Sequence, residues 1–233
     1  TIFANNTPVD SFTWASLGVT RTDWVTTWTP LSEGEYWLTT EATDQNNQTQ
    51  PFIRPIQPYS QNDPRWAHTV YAGGATFSKA GCLVTSIAMI ASQGYHLTPP
   101  EIARRLRQVA AFEGPLLTRP ERIPEALPKL QYGGTLHYRT IPADINVITQ
   151  EIATYRATII EVKRNPNGPM PDQNNQHFLV LTAISEYEAI IIDPLDGEEK
   201  KLADTPYTKN YWGPARAIYG LRRVRLPTVP EPP

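Results

Sequence analysis

The chain has 233 residues, enough for one large domain or for a domain of about 150 to 180 residues with an appendage, and for a sizeable core either way. Its hydrophobic fraction of 40% and charged fraction of 19% suit a globular protein, and 23 prolines argue for fixed turns and extended connections over a helical bundle. A formal net charge of -2 without clustered lysines and arginines excludes broad attraction to nucleic acid or acidic membranes, and the single cysteine excludes an intramolecular disulfide.

Residues 1–50 are rich in threonine, tryptophan and asparagine. Trp24 to Trp28 and Tyr36 to Thr40 alternate as β-strands do, and the Glu33-Gly34-Glu35 turn signal between them predicts a hairpin. Asp44 to Asn47 reads as a polar loop. Trp28-Thr29-Pro30-Leu31-Ser32-Glu33-Gly34-Glu35-Tyr36, with Glu41 to Asp44, also resembles the last strands of bacterial immunoglobulin-like modules, so the segment is expected to be a remnant of one. A two-stranded hairpin is marginal alone and needs something to pack on. Pro51, Pro55 and Pro58 mark an extended linker over 51–58. The chain opens at Thr1, with no apolar leader-like run, as expected of a trimmed or processed product.

A main domain is expected over 59–226. Leu83, Ile87, Ile90 and Ala91 recur at helical spacing, which predicts a buried helix from Gly81 to Gly94 with Cys82 at its N-terminus. Thr98-Pro99-Pro100-Glu101 combines an N-cap, prolines in the first turn and an acid at the positive end, predicting a second helix over Pro99 to Val109. Ile123 to Leu130 and Ile145 to Tyr155 are weaker helical patterns. Strand patterns follow at Thr158 to Lys163, Phe178 to Ile184, Ala189 to Asp193 and Ala217 to Val224. Glu186-Tyr187-Glu188 forms a tight turn, and Asn165 to Gln176 is a polar loop leading to His177. Helices first and sheet later predict an α+β fold with an antiparallel sheet. A proline-rich tail occupies 227–233. The longest apolar runs, Phe178 to Ile184 and Ala189 to Ile192, are too short to span a bilayer.

Cysteine at a helix N-terminus faces unpaired backbone N–H groups and the positive end of the helix dipole, which stabilise its thiolate. By itself a free cysteine reads as a small buried hydrophobe. Its partners change that reading. His177 heads an apolar strand after a polar loop, and Asp193 closes the next strand. In a hairpin centred near Tyr187 the start of one strand lies beside the end of its partner, so His177 and Asp193 are expected to be neighbours. Gly81 is expected to allow substrate to approach the thiol closely. With one cysteine and four histidines the chain has no closed zinc site and no helical pair of histidines, so no metal or cofactor is expected.

Tyr59-Ser60-Gln61-Asn62-Asp63-Pro64-Arg65-Trp66, then Ala80-Gly81-Cys82-Leu83-Val84-Thr85-Ser86-Ile87-Ala88-Met89, then His177-Phe178-Leu179-Val180-Leu181 with Ile192-Asp193-Pro194, resemble the successive motifs of C39-like peptidases. The resemblance covers residues 56–225. It implies a papain-like fold, Cys82 as nucleophile, His177 as general base and then acid, Asp193 as the carboxylate that orients it, and Gln61 as an oxyanion-hole donor. The expected activity is hydrolysis of peptide bonds, the expected partner a peptide or protein substrate, and the expected location secreted or cell-surface. Outside that resemblance Gln61 reads as a polar loop residue and Trp66 as core. The loop Asn165 to Gln176 reads as a rim of the cleft. Two other readings stay open on sequence grounds: a binding module for peptides or cell-wall glycopeptides on the same scaffold, and an amidase or acyltransferase using the same thiol.

Overall fold

A computed structural model of the protein describes residues 55–138, 142–168, 175–208 and 213–226, together with the backbone of five short strands in the first 50 residues. The chain divides into two compact units, Thr1–Arg54 with Thr228–Pro233, and Pro55–Pro227. In the first, β1 (Ile2–Ala4) pairs antiparallel with β2 (Thr7–Asp10) on one side and β3 (Leu38–Thr40) on the other, and β4 (Ala42–Thr43) pairs with β5 (Thr49–Gln50). The strand expected at Trp24 to Trp28, the turn at Glu33 to Glu35, most of the immunoglobulin-like stretch, residues 51–54 of the linker and the tail from Pro227 lie outside the described residues.

The second unit mixes helix and sheet, an α+β arrangement. It opens with a hairpin of β6 (Val70–Ala72) and β7 (Ala75–Thr76), the single turn α1 (Phe77–Ala80), and the helices α2 (Cys82–Ser92) and α3 (Pro99–Gln108). A second small hairpin, β8 (Phe112–Glu113) and β9 (Leu116–Leu117), and the short α4 (Ile123–Ala126) follow. Then come β10 (Gln131–His137), α5 (Ile145–Tyr155), and β11 (Thr158–Lys163), β12 (Gln176–Ile184), β13 (Ala189–Asp193), β14 (Glu198–Lys201) and β15 (Gly220–Arg225). These last five strands and β10 form one sheet in the order β10-β15-β11-β12-β13-β14, with every neighbouring pair antiparallel.

Local chemistry explains the main elements. Helix α2 is apolar on nearly every side, and from Val84 to Ser92 it is buried throughout, so packing on several neighbours holds it rather than an amphipathic stripe. At the start of α3 the Glu101 carboxylate accepts from both the Thr98 N–H and its hydroxyl, each at 2.7 Å, closing a capping box. Asp144 caps α5 by accepting from Asn146 N–H at 2.9 Å, and Arg156 ends it in the left-handed region.

Strand β11 is buried along its whole length because the sheet is covered on both faces. Ile160 and Val162 join Leu179, Leu181, Ile191 and Leu221 in one core, which Ile148 of α5 completes. The alternate residues, Ile159 and Glu161, share the opposite face with Phe178, Val180 and Arg222, where α2 packs. Ser86 of α2 donates to the Phe178 carbonyl at 3.2 Å, pinning the helix to β12.

Four expectations need correction. Strand β10 comes before α5, so the sheet does not wait until the helices are finished. Its Gly133-Gly134 step falls at a break in register, with Gly134 at φ 91°, and this irregularity hides the strand period. The helix expected over Ile123 to Leu130 stops at Ala126, because Leu127 leaves the helical region and Pro128 follows it. Strand β15 starts at Gly220, since Pro214–Arg216 forms a 3-10 turn that carries Ala217 and Ile218 into the core. Strand β14 was not expected: Glu198 to Lys201 is a charged sheet edge, which carries no apolar alternation.

Candidate active site

The site forms where three separated sequence segments are tied together at one end of the sheet. Tyr59 to Asn62 docks on the turn after β13 through the Gln61 N–H to Pro194 carbonyl bond at 2.6 Å, the Ser60 hydroxyl to Leu195 carbonyl bond at 2.9 Å, and the Asn62 amide to the same carbonyl at 2.9 Å. Trp66 is core, as its sequence context suggested, and its indole N–H donates to the Ser60 carbonyl at 2.8 Å, fixing the loop from behind. Helix α2 then presents Cys82 at its first residue, and β12 presents His177 at its second.

His177 and Asp193 are both buried, at 4% and 3% exposure, and the His177 Nε2 lies 2.9 Å from Asp193 Oδ1. The Leu195 N–H donates to the same oxygen at 2.9 Å, and the Tyr207 hydroxyl donates to Oδ2 at 2.8 Å. With Nε2 committed to Asp193, Nδ1 is the ring nitrogen left to face Cys82, and the two side chains are near enough to shift each other's protonation. The Tyr207 ring lies 5.1 Å from the imidazole and limits how it can tilt.

The charges follow from these contacts. For the half-buried Cys82, burial pushes the thiol up, but the His177 hydrogen bond and charge and the N–H groups of Phe178 and Leu83 outweigh it, so the thiol ionises below its ordinary range. Burial pushes His177 down, whereas its bonds to Asp193 and Cys82 raise it to about 9. Asp193 is likewise disfavoured as an anion by burial, yet His177, Leu195 N–H and Tyr207 hold its carboxyl below the usual range. Each of the three shifts favours the charged form of its group: thiolate, imidazolium and carboxylate.

Gln61 is 3% exposed and borders the same cleft as Cys82 and His177, a space of about 530 Å³. Its Nε2 donates one hydrogen to the Ser78 carbonyl at 3.1 Å, leaving the amide a second N–H. Gly81 does something other than open the approach to the thiol. It is buried, and a Cβ there would lie 2.6 Å from the Phe77 carbonyl oxygen, so the missing side chain lets α1 turn directly into α2 and brings Cys82 to the cleft.

One wall of the cleft is apolar, made by Leu83, Phe112, Leu116 and Leu117. Tyr71 links that wall to the segment before Cys82: its hydroxyl donates to the Ala80 carbonyl at 2.7 Å and lies 3.1 Å from the Pro115 carbonyl. Lys79, Arg164 and Arg222 also border the cleft, and so does Gln176, the last residue of the loop expected to form a rim; residues 169–174 of that loop lie outside the described residues. Tyr207, Arg164 and Arg222 carry no motif that would have singled them out. Tyr207 lies in a polar stretch without periodicity, and Arg222 is one of two adjacent arginines in an otherwise ordinary strand.

Compared with known proteins, the chain matches no family model, no curated protein and no solved structure. Among the described residues no helix is long and apolar enough to cross a membrane, and no group of histidine, cysteine, aspartate and glutamate side chains could hold a metal ion.

Proposed function

We propose that this protein is a cysteine peptidase of the papain-like, C39-like kind. Cys82 acts as nucleophile, His177 as proton carrier, Asp193 as the carboxylate that orients His177, and Gln61 as a donor to the oxyanion. The observation that carries this reading is the buried His177–Asp193 hydrogen bond, with the carboxylate bonded on both oxygens, set directly behind a cleft that Cys82 and His177 both line.

The chemistry then follows the residue types. The Cys82 thiolate attacks the carbonyl carbon of a bound amide, and the electron pair of the C=O bond moves onto oxygen, where the Gln61 amide and the Cys82 backbone N–H donate to it. His177 passes its proton to the amide nitrogen as the C–N bond breaks, and the amine leaves. A thioester remains on Cys82. Neutral His177 takes a proton from water, the hydroxide adds to the thioester carbon, and collapse of that adduct expels the acid and restores the thiolate. The buried Asp193 stays ionised throughout and fixes the imidazole tautomer.

The test has two stages. The pH dependence of Cys82 alkylation by iodoacetamide is expected to show half-maximal rate well below the free-thiol value of about 8.5, and His177→Ala is expected to shift it upward. Turnover of a peptide mixture in heavy-oxygen water then separates the activities by mass spectrometry. Hydrolysis puts one heavy oxygen into each new carboxyl, acyl transfer puts in none, and a binding module returns every peptide uncut. Slow labelling with an ordinary thiol profile, indifferent to His177→Ala, would overturn the proposal.

A further inference from the structure

The cleft has an asymmetry of charge that the Cys82, His177 and Asp193 row does not require. Its described lining holds three cationic side chains besides His177, those of Lys79, Arg164 and Arg222, and no aspartate or glutamate. The two nearby carboxylates lie behind the wall. Asp193 is 3% exposed and occupied by His177 and Tyr207, and Glu161 is 2% exposed on the sheet face.

Lys79 and Arg164 alone would be ordinary exposed charges, but Arg222 is not ordinary. Its side chain is 16% exposed, and its guanidinium lies 5.3 Å from the Phe178 ring. Nη2 is 3.2 Å from Glu161 Oε2, while Nη1 is buried with no hydrogen-bond acceptor among the described residues. Gly220 keeps room for this pair, since a Cβ there would come within 3.0 Å of Glu161 Oε2. Glu161 Oε2 is likewise buried without a hydrogen bond, so the pair holds Arg222 in place at the border of the cleft, where low-dielectric walls strengthen its attraction for an anionic group.

We propose that the cleft selects a substrate with a carboxylate placed beside the bond to be cut, bound by Arg222 with Arg164 and Lys79. The inference names a substrate class and rests on the peptidase reading above. Apolar residues facing Leu83, Phe112 and Leu117 would fill the rest of the cleft, so the favoured substrate carries both apolar and acidic groups near the scissile amide. The carboxylate can belong to an internal acidic residue or to a chain terminus.

The experiment uses the full chain and two reagents of nearly equal size, iodoacetate and iodoacetamide. In each, the Cys82 sulfur forms a bond to the methylene carbon and iodide leaves with the electron pair of the C–I bond. They differ in carrying a carboxylate or a neutral amide. Because the same thiolate attacks both, the ratio of their rates cancels any change in thiolate fraction. The ratio is expected to fall about threefold to tenfold in Arg222→Gln and by less in Arg164→Gln or Lys79→Gln, and to fall in the wild-type protein as salt rises to roughly 0.5 M. If Arg222→Gln does not fold, the double variant Arg164→Gln with Lys79→Gln changes two exposed residues and carries the comparison. An identical ratio in the wild-type protein and every folded variant overturns the proposal.

Four matched peptides locate the carboxylate, with glutamate or glutamine beside the susceptible bond and a free or amidated C-terminus. Faster cutting of the glutamate peptides assigns a side-chain carboxylate, and faster cutting of the free acids assigns a terminal one. Equal cutting of all four overturns the proposal. Failure to cut any of them, or any peptide in the mixture, counts against the peptidase reading, whereas the alkylation ratio still decides whether the cleft favours carboxylates.

Discussion

Each member of the Cys82, His177 and Asp193 row is held in its charged form by its neighbour, against the burial that opposes it. Two of these groups leave a signature in folding stability. Folded His177 titrates at about 9, above its unfolded value of about 6.5, so its protonation contributes stability that is complete below 6.5 and lost as pH rises through 9. Folded Cys82 is depressed, so its ionisation contributes stability that is present above the unfolded thiol value of about 8.5 and lost as pH falls through the folded value. His177 loses more stability between pH 7 and pH 10 than the thiol can gain there, whatever the folded thiol value. The urea midpoint of the wild-type protein minus that of the double variant Cys82→Ser with His177→Gln is therefore expected to be smaller at pH 10 than at pH 7. A difference that climbs from pH 7 to pH 10 would mean that His177 is not held protonated by its neighbours.

At the scale of elements, the apolar wall of the cleft depends on one close approach between two hairpin turns. Gly73, between β6 and β7, lies at φ +53°, and a Cβ added there would come 2.3 Å from the Gly114 backbone in the turn between β8 and β9. Gly74 beside it has φ +79° but open space around the same position. Gly74→Ala therefore meets only backbone strain, about 1 kcal/mol, whereas Gly73→Ala adds a clash with backbone that cannot rotate away, for about 2–4 kcal/mol in total. Thermal or urea unfolding of the two variants checks the ranking. In Gly73→Ala the β8–β9 hairpin is pushed outward, so faster access of bulky maleimides to Cys82 should accompany the loss of stability. Equal destabilisation by the two substitutions would show that the turns are free to separate.

For the molecule as a whole, the sheet must be covered on both faces before its ends can hold a site, and a buried ion cluster secures one of the covers. Glu151 of α5 is 5% exposed and accepts from Arg225 at 2.5 and 2.6 Å and from Arg223 at 3.2 Å, joining the helix to β15. Removing one partner of such a buried pair strands the others, so Glu151→Ala is expected to cost about 3–5 kcal/mol, far more than the few tenths expected from an exposed pair such as Arg122 with Glu125. Chemical denaturation of Glu151→Ala and Glu125→Ala measures the contrast. Because β15 also carries Arg222, Glu151→Ala should disturb the cationic side of the cleft even though Glu151 does not border it.

Much of this organisation is legible in the residues themselves, because α2, α3, β11 and β13 each carry a complete local signal and α5 a weaker one. Apolar spacing, a capping box, a left-handed C-cap and β-branched runs are interactions between residues near in sequence. The hairpin joining β12 to β13 also brings His177 beside Asp193 for a local reason, since a short turn fixes the register. Strands β10 and β14 gave no such signal, because a glycine step interrupts one and charge blunts the other, and both are recruited by pairing with strands distant in the chain. The same holds within the site. Sequence motifs single out Cys82, His177, Asp193 and Gln61, but the tie between Gln61 and Pro194 and the pairing of the half-buried Arg222 with Glu161 arise from contacts across tens of residues, and the Tyr207 bond to Asp193 joins residues that no motif links. Local sequence determined which groups could do chemistry; tertiary packing decided their protonation and the charge of the cleft that faces a substrate, because burial and hydrogen-bond partners are properties of the folded neighbourhood.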